Sequence, residues 1–221
     1  MLVVQLCHVH LSAVISVLKK TFTATERDTE KNIEKRRVFE AELKNIPEKY
    51  RVYLDEAGTN LGMTRMNSRS EIGERASSKR PSNRGTNISL IGAVRLNEEP
   101  VLYPFDGAVD GEKFVFFLRE KLLPILKDGD VVIMDNCRIH YVKEVAEILK
   151  TVGARPLFLP PYSPELNPIE EAWSLIKYVF KSLEARTVSA YIDAMKIARK
   201  IVTKEKINQY YQHANSFLAT T

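Results

Sequence analysis

The sequence lacks several features, and each absence narrows what it can be. It has two cysteines in 221 residues, Cys7 and Cys137. They lie far apart and in no zinc-like pairing, which excludes a disulfide framework and points to a reducing compartment. The tract Cys7-His8-Val9-His10 has metal-binding residue types, but no second ligand pair follows it, so no structural zinc site is expected. No apolar run approaches the ~18 residues needed to span a bilayer. The apolar opening Met1–Leu18 carries its basic residues, Lys19 and Lys20, after the run rather than before it, and shows no small-residue cleavage signature. A cytoplasmic protein with no membrane partner is the expectation. Finally, there is no Gly-x-Ser-x-Gly elbow, no phosphate-binding Gly-Lys-Ser/Thr loop and no Gly-x-Gly-x-x-Gly run, which removes the common hydrolase and nucleotide-binding classes.

What is present is an ordinary globular composition with a basic bias. Apolar residues make up 44% of the chain, enough for a real core. Lys and Arg number 33 against 28 Asp and Glu, a formal charge of +5 that favours a polyanionic partner. The bias concentrates between Ala57 and Thr86, where Arg65, Arg69, Arg75, Lys79, Arg80 and Arg84 face only Glu71 and Glu74. A Gly-, Ser- and Asn-rich loop of that charge is suited to tracking a nucleic-acid backbone.

Hydrophobic spacing orders the elements. Thr25–Lys49 is charged with sparse apolar positions (Ile33, Val38, Phe39, Leu43, Ile46) and reads as an exposed helix lying on another surface, stopped by Pro47. Arg51–Asp55 is a short strand ending in an acid. Asn87–Leu96 and Pro100–Phe105 form a hairpin about Asn97-Glu98-Glu99. Gly111–Leu126 has helical spacing, and Asp130–Met134 is a continuous apolar strand running to Asp135. Tyr141–Val152 is helical, Arg155–Leu159 is a strand, and helices follow from near Pro168, over Val188–Val202 and over Lys206–Leu218. A strand meander leading into βαβ units gives an α/β fold: a mixed five-stranded sheet flanked by helices, with a helical N-terminal segment and a helical C-terminal tail. The expected division is 1–49, 50–184 and 185–221, the tail packing on the central unit.

Three acids stand out. Hard divalent ions such as Mg²⁺ take carboxylate oxygens. A pair of such ions roughly 4 Å apart activates a nucleophile and stabilises the leaving oxygen in phosphodiester chemistry. Asp55 and Asp135 end apolar runs, and Glu170 opens a helix. Glu56, Asp55's neighbour, points to the other strand face. Glu170 has a structural alternative: Asn167 as N-cap, Pro168 at the first helical position and Glu170 at the third make a capping box, which would leave Glu171 to face a metal.

The sequence around these acids is distinctive. Leu54-Asp55-Glu56-Ala57-Gly58, Val132-Ile133-Met134-Asp135-Asn136 and the stretch Leu157-Phe158-Leu159-Pro160-Pro161-Tyr162-Ser163-Pro164-Glu165-Leu166-Asn167-Pro168-Ile169-Glu170 resemble the mariner-like group of DDE transposases, especially its bacterial insertion-sequence branch. Thirty-four residues lie between Asp135 and Glu170, a spacing common in that group. The resemblance covers roughly residues 50–182. It implies a ribonuclease-H-like fold with Asp55 and Asp135 on adjacent strands and Glu170, rather than Glu171, as the third acid.

The same resemblance implies two Mg²⁺ ions, with Mn²⁺ as substitute, held by Asp55, Asp135 and Glu170. It implies DNA cleavage at transposon ends followed by attack of the freed 3′-hydroxyl on target DNA, in a nucleoid-associated protein acting as a homodimer. Asn136 would orient Asp135 from behind, and His140 would contact a phosphate or a metal-bound water. Trp173 reads as a core anchor in preference to a base-stacking platform. Helix-turn-helix modules that read the terminal repeats need roughly 100 residues. With fifty residues ahead of the first strand, a truncated frame or an upstream-encoded helix-turn-helix product is expected. The competing functions are an inactive remnant that only binds DNA or assembles, and a ribonuclease-H-like nuclease or resolvase without strand transfer.

Overall fold

The computed structural model describes residues 24–67, 70–77, 79–137 and 143–219. Five strands form one mixed sheet in the order β3-β2-β1-β4-β5: β1 Arg51–Asn60, β2 Asn87–Arg95, β3 Val101–Asp106, β4 Val131–Met134 and β5 Arg155–Phe158. The first three are antiparallel, while β4 and β5 run parallel to β1. The helices are α1 Glu30–Lys44, α2 Gly111–Phe117, α3 Lys143–Lys150, α4 Ile169–Leu183, α5 Val188–Ile201 and α6 Lys204–Ser216.

Strand alternation divides the interior into two cores. Val52 and Leu54 of β1 join Val132 and Met134 of β4 on one face, against Phe114, Phe117, Val145 and Leu149 of α2 and α3. Tyr53, Ala57 and Ile133 point the other way, into a larger core with Trp173, Ile176 and Phe180 of α4, Tyr191 of α5 and Tyr211 of α6. All four residues of β4 are buried, which is why that run has no polar alternation to read.

The flanking helices are tied in by specific bonds. Phe39, Leu43 and Ile46 at the end of α1 belong to the larger core. The Arg51 guanidinium donates to the carbonyls of Leu43 and Ile46, both at 2.9 Å, and so caps the C-terminal end of α1. Tyr211 Oη donates to the Arg51 carbonyl at 2.8 Å, and the Tyr191 ring stacks on Phe180.

Two elements differ from the sequence reading. β1 does not stop at Asp55 but pairs with β2 as far as Asn60 opposite Asn87. The predicted helix Gly111–Leu126 is α-helical only to Phe117, then widens into a π-helical turn over Leu118–Leu122 and a 3-10 turn over Leu123–Ile125. Pro124 has no N–H for the carbonyl four residues back, so a regular α-helix cannot run through it.

Among the described residues no helix is long and apolar enough to cross a membrane.

Candidate active site

The β1–β4 register sets the geometry. Arg51, Val52 and Tyr53 pair with Val131, Val132 and Ile133. Asp55 and Asp135 therefore each stand two residues past the last paired position, level with one another on neighbouring strands. Asp135 lies just beyond the end of β4, whereas Asp55 lies mid-strand in β1, at the point where its β4 partner gives out. Both share the strand face of Tyr53 and Ile133, which is the face covered by α4. Glu56 falls on the opposite face, as alternation requires.

Helix α4 brings the third acid. Asn167 is preceded by a 3-10 turn, Pro164–Leu166, and it does not act as the predicted cap: no side chain caps α4, and the Asn167 Oδ1 is buried without a hydrogen-bond partner. The Glu170 backbone N–H instead donates to the Asn167 carbonyl at 3.1 Å. The capping box is thus not formed, and Glu170 lies on a cleft with Asp55 and Asp135. Glu171, its rival, pairs with His213 of α6 at 2.5 Å and does not line that cleft.

The cleft has a volume of about 410 Å³. Besides the three acids it is lined by Asn136, Cys137, Asn167 and the loop from Leu159 to Pro164. In that loop Tyr162 adopts φ 57, a left-handed conformation that non-glycine residues take only when their surroundings impose it. Those surroundings include the N-terminal helical segment. Arg36 of α1 donates from Nε to Ser163 Oγ at 3.3 Å, and Arg27, just ahead of α1, pairs with Glu165. The segment that the sequence reads as an exposed helix lying on another surface thus braces one wall of the cleft.

Each acid has a distinct setting. Asp55 is the deepest, and its carboxyl is pushed up to about 7 by burial, with Glu170 and Asp135 adding like charge. The Glu56 backbone and the Trp173 indole act against that rise by hydrogen bonding to the carboxylate. Trp173 Nε1 donates to Asp55 Oδ2 at 3.1 Å. Burial also raises the Glu170 carboxyl above its ordinary value, Lys177 opposing and Asp135 reinforcing the shift. Asp135 is exposed, and its Oδ1 accepts from the Cys137 N–H at 3.1 Å, a bond from an Asp side chain to its own backbone two residues on.

Among the described residues no three His, Cys, Asp or Glu side chains are close enough to enclose an ion by themselves. The donor chemistry nevertheless fits a hydrated divalent ion. The three facing groups are all carboxylates, two of them raised above their ordinary pKa by burial, with like charge from their neighbours adding to the shift. Mg²⁺ retains several waters and so does not need an all-protein cage.

Of the remaining predicted residues, Asn136 lies in the cleft next to Asp135, while His140 and Arg69 fall outside the described residues. Arg65, Arg75, Lys79, Arg80 and Arg84 are exposed on the long β1–β2 connection. That connection is pinned at its root. Leu61 N–H donates to Thr86 and Gly62 N–H to Arg84, and Gly62 comes so close that a Cβ would lie 2.7 Å from the Arg84 carbonyl oxygen. Arg186, between α4 and α5, donates to the carbonyls of Leu61 and Met63 and to Thr64 Oγ1 at 2.7–3.1 Å. Sequence reasoning missed the bond from Trp173 to Asp55 and the role of Arg186. The first was readable in the three-residue spacing from Glu170, which puts the indole on the same helical face. The second left no local trace.

The sequence matches the family model for the DDE superfamily endonucleases over residues 50–192. The chain belongs to that family. Its fold is ribonuclease-H-like and matches solved structures of the Mos1 mariner transposase. The paired-end complex with the left transposon end gives a TM-score of 0.71 at 15% identity, over 92% of this chain and 65% of that one. The strand transfer complex gives 0.70 at 16%, over 94% and 65%. The catalytic domain alone gives 0.59 at 12%, over 86% and 90%. This chain therefore spans just under two thirds of the transposase in its DNA complexes and most of its catalytic domain. Other Mos1 structures contain Mn or Mg. No curated protein matches the sequence.

Proposed function

We propose that this chain is the catalytic part of a mariner-like DNA transposase in which Asp55, Asp135 and Glu170 hold the divalent ions. The observation that carries this reading is that three carboxylates from β1, the end of β4 and the start of α4 line one cleft. Bound Mg²⁺ or Mn²⁺, two ions in our reading, supplies an activated nucleophile and charge stabilisation for an in-line displacement at phosphorus. Asp135 and Glu170 lie at the exposed side of the cleft and grip the ions there. Asp55 anchors the set from its deeper position. Asn136 orients Asp135, and His140 contacts a phosphate or a bound water.

The substrate is DNA: first the transposon end, cut by water, then the target, attacked by the freed 3′-hydroxyl. Arg65, Arg69, Arg75, Lys79, Arg80 and Arg84 track the DNA backbone. Residues 50–184 form the catalytic unit with 185–221 packed on it, and 1–49 lead towards a DNA-reading region. Two copies bridge the DNA ends, and a helix-turn-helix product supplies the sequence-specific contacts.

The test uses a labelled oligonucleotide with a free 3′-hydroxyl end, incubated with supercoiled plasmid in Mg²⁺. Label joined covalently to plasmid is the expected result. Nicked plasmid without joined label would replace transposition with simple nuclease action. DNA binding with neither product would support an inactive, DNA-binding remnant.

A further inference from the structure

Trp173 is the sole tryptophan of the chain and is 1% exposed. A large buried ring at this helical position is accounted for by the core alone. Its polar atom is not: a buried indole N–H requires an acceptor, and here the acceptor is a carboxylate lining the acid cleft, Asp55 Oδ2 at 3.1 Å. The room for this contact is made on a third element. Gly92 of β2 lies opposite Asp55 in the β1–β2 register. A Cβ at Gly92 would lie 2.5 Å from Trp173 Cη2 and 2.9 Å from Leu102 Cδ2, so only glycine admits the ring as placed. The rest of the strand around it, Ile91, Ala93 and Val94, carries side chains, as a central strand should.

We propose that Trp173 is a positioning residue for the acid cleft, with Gly92 as the space that seats it. Its N–H holds Oδ2 of Asp55 and, together with the Glu56 backbone, fixes the carboxylate's rotation towards the cation. This rests on the reading of Asp55 as a metal ligand. Partners that orient a metal ligand are commonly worth about 10–100-fold in metal affinity. A ring that only fills the core would be replaced by phenylalanine with no effect on metal binding.

The test is Mn²⁺ binding to the purified, DNA-free chain, read by electron paramagnetic resonance, with thermal melting as a check of folding. Trp173→Phe keeps the ring and loses the N–H; it folds and binds Mn²⁺ about 10–100-fold more weakly. Gly92→Ala keeps the N–H but displaces the ring, and weakens binding in the same direction. The wild-type chain gives a readout that needs no folded Trp173 or Gly92 variant. Mg²⁺ shifts its single-tryptophan emission saturably, and Asp55→Asn abolishes the shift. Wild-type Mn²⁺ affinity in folded Trp173→Phe overturns the inference alone, as does a Mg²⁺-induced shift that survives in Asp55→Asn. A wild-type chain that binds no Mn²⁺ overturns the metal site and the inference together.

Discussion

Asp55 and Asp135 stand level on neighbouring parallel strands, each two residues past the pair formed by Tyr53 and Ile133. Yet one is mid-strand and half-buried, the other exposed just past the end of its strand. β1 continues along β2 after β4 has ended. The cleft is therefore a notch in the sheet, with β2 and Trp173 beside Asp55 and Asp135 exposed at its rim.

That notch makes Asp55 a source of pH-dependent instability. Its carboxyl is raised to about 7 in the fold, against roughly 3.9 in an unfolded chain. Below both values the group is protonated in either state and contributes nothing. Between them the unfolded chain has released its proton while the fold retains it, so this group's contribution to stability falls as pH rises through the window. Melting temperatures of wild type minus Asp55→Asn are expected to decline from about pH 4 to about pH 7 and then level off. Divalent metal is expected to raise the wild-type melting point more above this window than below it, because binding competes with the proton.

The basic β1–β2 connection is a prediction about salt. If Arg75, Lys79 and Arg80 meet phosphates, replacing all three with Ala weakens DNA binding regardless of sequence. It also makes the slope of log affinity against log salt shallower, by about 0.9 for each phosphate of duplex DNA that is no longer neutralised. Fluorescence anisotropy over a salt series measures this. An unchanged slope would mark the loop as merely solvated.

At the other end of the sheet Arg95 and Asp130 form a buried ion pair. Asp130 Oδ2 also accepts from the Lys127 N–H at 2.7 Å, and Arg95 donates to the Ile125 carbonyl at 3.0 Å. Asp130→Ala leaves the buried guanidinium with only the partly exposed Glu98 carboxylate at 3.9 Å and is expected to cost about 3 kcal/mol. Chemical denaturation measures the loss. A loss below ~1 kcal/mol, as for an exposed pair, would contradict this account of the pair.

Much of this was legible in the sequence because local patterns carried it. The β2–β3 hairpin, the apolar run of β4 and the amphipathic α4 appear where spacing puts them. The extent of β1 was not legible, because Glu56-Ala57-Gly58 reads as a turn until β2, about thirty residues on, supplies a ladder for it. Nor was the failure of Asn167 to cap α4: a capping box is a local expectation, and behind the 3-10 turn the Asn167 side chain is buried instead. The acids were found from the sequence surrounding them, not from any one carboxylate. The tethers from Arg186 and Arg36 join residues that no local window places together.

The central claim is that Asp55, Asp135 and Glu170 form one metal-dependent site. The most direct measurement is nicking of supercoiled plasmid in Mg²⁺ and in Mn²⁺ at low salt, comparing wild type with Asp135→Ala, Glu170→Gln and Glu171→Gln. The account predicts wild-type nicking that requires the metal, is lost in Asp135→Ala and Glu170→Gln, and persists in Glu171→Gln, whose residue is engaged by His213. Equal nicking by all four proteins, or a dead Glu171→Gln beside an active Glu170→Gln, would contradict it.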